Sequence, residues 1–282
     1  MTYREIRRIL TDSKIENAEW DAALLIEHFC RVDAGLARLD HDRDYPSPAL
    51  TDAVLRRASR YPLQYLIGEW QFYRQTYEVS PDCLIPRSDT EILVEEAIKH
   101  LPNGAHFADL CTGSGCIAIS VLAERPDTTA TAVEKFSDTL AVAERNAQRN
   151  GVQARFDGIL ADVLTDEWTS DGVCFDAILS NPPYIPENDL QALAPELHAE
   201  PRAALDGGED GLVFYRAILR RATRWLKPDG FILFEIGYDQ AEAVTALGTA
   251  AGFAESRVLR DLGGNDRVVF LQKRVTDHPM TE

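Results

Sequence analysis

The chain has 282 residues, room for one large domain or two smaller ones, and its 45% hydrophobic and 27% charged content is ordinary for a globular protein. Acids outnumber bases 46 to 29, a net charge of −17 that argues against a duplex-binding enzyme, whose affinity rests on basic phosphate contacts. No apolar run approaches the roughly 20 residues a membrane helix needs, and the N-terminus lacks a signal-peptide core, so a cytoplasmic address is expected.

Residues 1 to about 75 read as a set of short helices. Thr2 and Glu5 make a capping box ahead of Ile6, Ile9 and Leu10. A second helix is expected from about Asn17 to Val32. A third starts at Ser47-Pro48, an N-cap followed by proline at the first helical position. Trp70 to Val79 is aromatic and β-branched, which suggests a hairpin or extended linker within about 68–86. The second domain is expected to span 76–282.

From Ser88 the pattern becomes strand, loop and helix in alternation. Ser88-x-x-Glu91 predicts a helix to about His100. Strands are predicted at His106 to Cys111, Thr129 to Glu134, Ala154 to Leu160, Phe175 to Ser180 and Phe231 to Ile236. Helices are predicted at Gly115 to Glu124, Ser137 to Asn150, Gly211 to Leu226 and Gln240 to Ala251. Lys227 to Gly230 reads as a turn. The alternation implies a doubly wound, mostly parallel sheet. The last strands, near Ser256 to Arg260 and Arg267 to Gln272, are too closely joined for a parallel crossover and must be antiparallel.

The five cysteines (Cys30, Cys83, Cys111, Cys116, Cys174) are odd in number and scattered, which argues against a disulfide framework or zinc site. No metal is expected.

Asp109-Leu110-Cys111-Thr112-Gly113-Ser114-Gly115 lies where a strand ends and a helix begins. Glycines there let backbone approach a ligand, and the helix N-terminus offers free N–H groups. Glu134, about 20 residues on at the next strand end, suits two ribose hydroxyls. A dinucleotide site would place a third glycine where Ala118 stands. Asp109 is placed to meet an ammonium group, which favours a zwitterionic methionine tail over a pyrophosphate. Asp162 suits the adenine amino group, or equally a helix N-cap.

Asn181-Pro182-Pro183-Tyr184 follows an apolar strand. Two prolines lock φ and remove two N–H donors, leaving a rigid loop rich in outward carbonyls. An amide nitrogen is a poor nucleophile, because its lone pair is shared with the carbonyl. The Asn181 side-chain oxygen and the Pro182 carbonyl would accept both N–H hydrogens, holding the nitrogen and stabilising the positive charge that develops on it. Tyr184 would stack on a flat amide or base. Arg87, Glu91 and Arg202 are secondary candidates, each equally readable as a structural ion pair or cap.

These motifs resemble the peptide chain release factor glutamine methyltransferase family over nearly the whole chain. The matching segments are Pro62 to Gly68, Leu84 to Glu91, the Gly113 loop, Asn181 to Tyr184, Glu200 to Leu205 and Gly264 to Arg267. The resemblance implies a seven-stranded class I methyltransferase sheet, S-adenosyl-L-methionine as cofactor, and class I release factors as protein substrates, methylated on the glutamine of their Gly-Gly-Gln loop. It implies a small N-terminal helical domain that helps hold the factor. By the same resemblance Asn181, Pro182, Pro183 and Tyr184 bind the glutamine, while Cys111 to Gly115, Glu134, Val163 and Asn181 line the cofactor. Relatives often carry Gly at Cys111, Asp at Glu134 and Trp at Val163, departures that bear on cofactor affinity more than on reaction type. Two other readings share parts of the pattern: an adenine-N6 methyltransferase with the same loop, and a non-catalytic binding module on the same fold.

Overall fold

A computed structural model describes residues 1–165, 167–169 and 173–273. Two compact units divide the chain: Met1–Trp70 with Leu193–Glu200, and Gln71–Ala192 with the chain from Pro201 onward.

The first unit holds helices α1 (Tyr3–Asp12), α2 (Ala18–Cys30), α3 (Ala34–Leu39), α4 (Pro48–Ala58) and α5 (Leu63–Ile67). The Thr2 capping box is formed, with Glu5 N donating to Thr2 Oγ1 at 3.2 Å and Thr2 N to Glu5 Oε2 at 2.8 Å. Ser47 caps α4 by accepting from Leu50 N at 3.2 Å. Helices α1, α2 and α4 supply Ile6, Leu10, Leu25, Ile26, Leu50 and Val54 to a single core, which Ala37 of α3 and Leu63 of α5 join. The segment 193–200 joins this unit through Glu196, which sits 3.0 Å from Arg60 and 3.3 Å from Arg57, itself 2.7 Å from Asp21. No local pattern in the sequence signals that return, so the helical domain is not the continuous stretch expected.

The hairpin strands β1 (Glu69–Phe72) and β2 (Gln75–Glu78) form a separate two-stranded sheet. The rest of the second unit runs α6 (Glu91–His100), β3 (His106–Leu110), α7 (Cys116–Glu124), β4 (Thr129–Glu134), α8 (Ser137–Arg149), β5 (Phe156–Leu160) and β6 (Phe175–Ser180). It continues with α9 (Val213–Trp225), β7 (Leu226–Glu235), α10 (Ala241–Ala250), β8 (Phe253–Arg260) and β9 (Asp266–Lys273). The seven-stranded sheet has the order β5-β4-β3-β6-β7-β9-β8. β9 pairs antiparallel with both β7 and β8, and the other pairings are parallel.

Strand alternation explains the layers. Ala177, Leu179, Phe231 and Leu233 face one core with Leu93 and Val94 of α6 and Ile117 of α7. Ile178, Ile232 and Phe234 face the opposite core with Ile218 of α9 and Val244 of α10. Central strands buried on both sides read as continuous apolar runs, as parallel sheets require.

Two local expectations change. Lys227 to Gly230 is not a turn before the strand but a bulge within β7, where pairing jumps from Phe175↔Leu226 to Ala177↔Phe231. Ser88–Thr90 forms a 3-10 turn and α6 begins at Glu91. The Glu91 carboxylate is drawn away from the helix end by the Tyr73 N–H, which it accepts at 2.9 Å.

The strand order reverses between β3 and β6, since β4 and β5 extend one way and β7 the other. Leu110 lies opposite Ser180 in register, so the loops leaving these two strands emerge side by side. Ligands of such sheets sit in that crevice.

Candidate functional site

A cavity of about 340 Å³ opens at this reversal, within the range of small-molecule sites. Cys111, Thr112, Gly113 and Ser114 line it from the β3 side, Glu134 from β4, and Asn181 and Pro183 from β6. Asp162 and Val163 line it as well. Asp109, Gly115, Pro182 and Tyr184 are not among its lining residues.

The loop after β3 is bent by three left-handed residues at alternate positions: Cys111 at φ 60°, Gly113 at 57° and Gly115 at 81°. Cys111 is the strained member, because a Cβ disfavours this region and glycine does not. A Cβ added at Gly113 would meet no protein atom within 4 Å, so the space before it is open for a ligand. At Gly115 the reverse holds: an added Cβ would lie 2.7 Å from Ile119 Cδ1 and 3.2 Å from Ala143 Cβ. Gly113 thus permits close approach of a ligand, and Gly115 close packing of α7 on α8.

Asp109 is fully buried behind this loop. Its Oδ2 accepts from Thr112 Oγ1 at 2.6 Å and from Ala118 N at 3.1 Å. Its Oδ1 is buried with no partner among the described residues. Burial pushes the carboxyl up to about 7, against the opposing pull of the Thr112 and Ala118 hydrogen bonds. In this conformation Asp109 braces the loop from within rather than facing the cavity.

Glu134 curls at the end of β4. Its Oε2 accepts from Gly113 N at 3.1 Å, and its Oε1 from Lys135 N at 2.9 Å and Phe136 N at 3.1 Å. Three N–H bonds leave one of the four lone-pair directions of the carboxylate unused. Burial raises its pKa, and the backbone bonds hold the rise in check. Asp162 accepts from Leu164 N at 2.9 Å and pairs with Lys135 Nζ at 2.9 Å.

Asn181 begins the loop after β6. Its Nδ2 donates to Thr90 Oγ1 at 3.3 Å, and Thr90 donates to Glu235 Oε2 at 2.6 Å. Glu235 ends β7 and is 2% exposed. Tyr184 packs against the core under α9 and α10, with its hydroxyl 3.5 Å from Glu235 Oε1 and its carbonyl accepting from Gln240 Nε2 at 2.9 Å. Burial holds the Tyr184 phenol protonated.

Of the secondary candidates, Arg87 lines the cavity and Glu91 does not. Arg202 pairs with Glu187 and Asp206, both at 3.2 Å, in an exposed ion-pair cluster. Thr90 and Phe136 also line the cavity, and neither residue type by itself signals that role in the sequence. Thr90 sits inside the Pro86 to Glu91 motif, so that motif was the available signal. Among the described residues no group of three or more His, Cys, Asp or Glu is arranged to hold a metal ion. Among them, too, no helix is long and apolar enough to cross a membrane.

The cavity residues fit a nucleoside with a charged amino-acid tail: open space at Gly113, an acceptor at Glu134, and polar backbone around Thr112 and Ser114.

Comparison with known proteins gives the same direction. Residues 88–222 match the methyltransferase small domain family and residues 2–68 the PrmC N-terminal domain. The chain is 40% identical over 268 residues to the release factor glutamine methyltransferase of Geobacter sulfurreducens, covering 93% of this chain and 92% of that one. It is 39% identical over 282 residues to the protein of the same name from Caulobacter vibrioides, covering 96% and 94%. A crystal structure of a methyltransferase from Pyrococcus furiosus superposes with a TM-score of 0.54 at 18% identity, covering 70% of this chain and 88% of that one. That likeness concerns the fold alone.

Proposed function

The chain belongs to the release factor glutamine methyltransferase family, and from that premise we propose that it methylates the side-chain amide nitrogen (N5) of the Gly-Gly-Gln glutamine in class I release factors. S-adenosyl-L-methionine, bound in the cavity, supplies an electrophilic methyl group on a sulfonium. The observation that carries this reading is the register of β3 against β6, which sets the Gly113 loop beside Asn181 at one cavity wall.

The chain's own groups divide the work. Gly113 leaves room for the cofactor, Glu134 takes a ribose hydroxyl on its remaining lone pair, and Asp162 with Val163 borders the adenine. Asn181 Oδ1 and the Pro182 carbonyl accept the two N–H hydrogens of the glutamine amide. That holds the nitrogen against the methyl group and stabilises the positive charge that grows there. Pro182 and Pro183 keep those acceptors in place, since neither residue has φ freedom. Tyr184 braces the loop through Gln240 in the conformation described, and stacking on the amide requires its ring to turn outward. No general base is required, because the proton can leave after transfer. The helical unit engages the body of the factor, and the reaction belongs in the cytoplasm, where release factors act.

The test is methyl transfer from labelled S-adenosyl-L-methionine to two acceptors offered separately, a release factor with an intact Gly-Gly-Gln loop and adenine-containing DNA. Label on the factor, lost when its glutamine becomes alanine, is expected. Label on DNA alone would overturn the protein-substrate reading and leave the cofactor site standing.

A further inference from the structure

Glu235, Thr90 and Asn181 form a hydrogen-bonded line from the buried end of β7 to the cavity wall. Thr90 and Glu235 are 145 positions apart in sequence. A hydroxyl carries a single proton, and an ionised carboxylate only accepts. The 2.6 Å contact therefore commits the Thr90 proton to Glu235, and Thr90 Oγ1 can only accept from Asn181. The Asn181 amide must then turn its NH₂ toward Thr90 and its Oδ1 away. That polarity follows from the network and does not depend on distinguishing oxygen from nitrogen by eye. Among the described residues Asn181 Oδ1 accepts no hydrogen bond.

We infer that Thr90 and Glu235 are positioning residues that set the polarity of the Asn181 amide, so that its oxygen and not its NH₂ meets the substrate's amide hydrogens. The inference rests on the reading of Asn181 as acceptor of those hydrogens.

The relay reverses when Glu235 gains a proton. Its O–H then donates to Thr90, the Thr90 hydroxyl rotates to donate toward Asn181, and the Asn181 amide turns over so that Oδ1 accepts that bond and NH₂ faces the substrate's NH₂; no proton leaves Thr90. Burial pushes Glu235 up to about 7, opposed by the Thr90 hydrogen bond and the Arg267 charge. The groups facing it come from several elements. Thr90 and Asp89 belong to the turn before α6, Tyr184 to the loop after β6, Cys116 to α7 and Arg267 to β9. Tyr215 of α9 donates to the Glu235 backbone carbonyl at 2.8 Å. Asp89 opposes ionisation and Arg267 favours it.

The experiment compares Thr90→Val, Thr90→Ser, Glu235→Gln and Asn181→Ala in the full chain, with a Gly-Gly-Gln release factor and labelled S-adenosyl-L-methionine, both saturating. Valine keeps the shape of threonine without its hydroxyl. Thr90→Val is expected to lower kcat at least about tenfold with cofactor Kd within about twofold, and serine to recover most of it. Wild-type kcat is expected to fall as pH drops below about 7, and Glu235→Gln to flatten that acid limb. Thr90→Val should add nothing to Asn181→Ala, since both act through one group. Wild-type turnover in Thr90→Val, a serine variant as impaired as valine, or an acid limb unchanged in Glu235→Gln would each overturn the relay. If Thr90→Val does not fold, the serine and glutamine variants decide. Near-normal turnover in folded Asn181→Ala would instead remove the Asn181 reading, so the two failures are separable.

Discussion

Asn146 of α8 clasps the backbone of Glu78 in β2, accepting its N–H on Oδ1 at 2.6 Å and donating from Nδ2 to its carbonyl at 3.0 Å. The same Nδ2 donates to the Ser114 carbonyl at 2.9 Å, so one fully buried amide ties a hairpin to the cavity loop. Its removal leaves a backbone N–H and two carbonyls short of a partner. Asn146→Ala is expected to lose about 2–4 kcal/mol by urea denaturation and to weaken cofactor binding in calorimetry. A stable variant with unchanged affinity would mean that other contacts hold Ser114.

The two glycines of the cavity loop should separate folding from binding. Gly115→Ala drives a Cβ to 2.7 Å from Ile119 Cδ1 at φ 81°, and should cost about 2–4 kcal/mol of stability. Gly113→Ala meets no protein atom and should cost only about 1 kcal/mol for its positive φ. Its methyl group nevertheless projects into the open space, so cofactor Kd should rise at least about tenfold, or about 1.4 kcal/mol. Equal effects of both variants on melting temperature would contradict this division.

In the helical unit, Arg57 is 11% exposed and Asp21 7% at their 2.7 Å contact. Burial raises the Asp21 pKa against the Arg57 pairing, so without Arg57 the carboxylate is a buried, uncompensated charge. Arg57→Ala should cost about 3 kcal/mol in urea, and Asp21→Asn added to it should restore part of the loss. A double variant weaker than the single would show that the charge is not the cause.

Glu235 gives a signed dependence of stability on pH. Its folded pKa of about 7 exceeds the unfolded carboxylate value of about 4.3, so the folded state binds more protons in between. Wild-type stability relative to Glu235→Gln should therefore be greatest below about pH 4.3 and fall as pH rises toward 7, by up to about 3 kcal/mol. Denaturation of both proteins at several pH values reads the difference directly. A constant difference would mean that Glu235 titrates alike in the folded and unfolded chain.

The sheet was legible because its central strands are buried on both faces and end in loops of fixed spacing. Asp109 to Gly115 and Asn181 to Tyr184 are short segments whose composition alone reports a special backbone. The alternation of helix and strand sets them on parallel β3 and β6, and the register Leu110↔Ser180 then makes them neighbours. What the sequence concealed is long-range. Asp109 reads as a ligand for an ammonium group, yet Thr112 and Ala118 capture it inside the loop. Thr90 and Glu235 meet only through the tertiary fold, and neither lies in a pattern that names the other. Pro228 and Gly230 carry turn chemistry, and a bulge inside a strand uses the same residues.

The excursion of Leu193–Glu200 into the helical unit has a consequence for dissecting the molecule. The chain crosses between units at three places, after Trp70, Ala192 and Glu200, so a single cut cannot separate them. A catalytic fragment starting at Gln71 would keep Leu193–Glu200 stripped of Arg57 and Arg60, immediately before Pro201 and Ala203 of the cavity lining. The two units are interleaved along the chain: no single contiguous segment carries either one whole without a piece of the other.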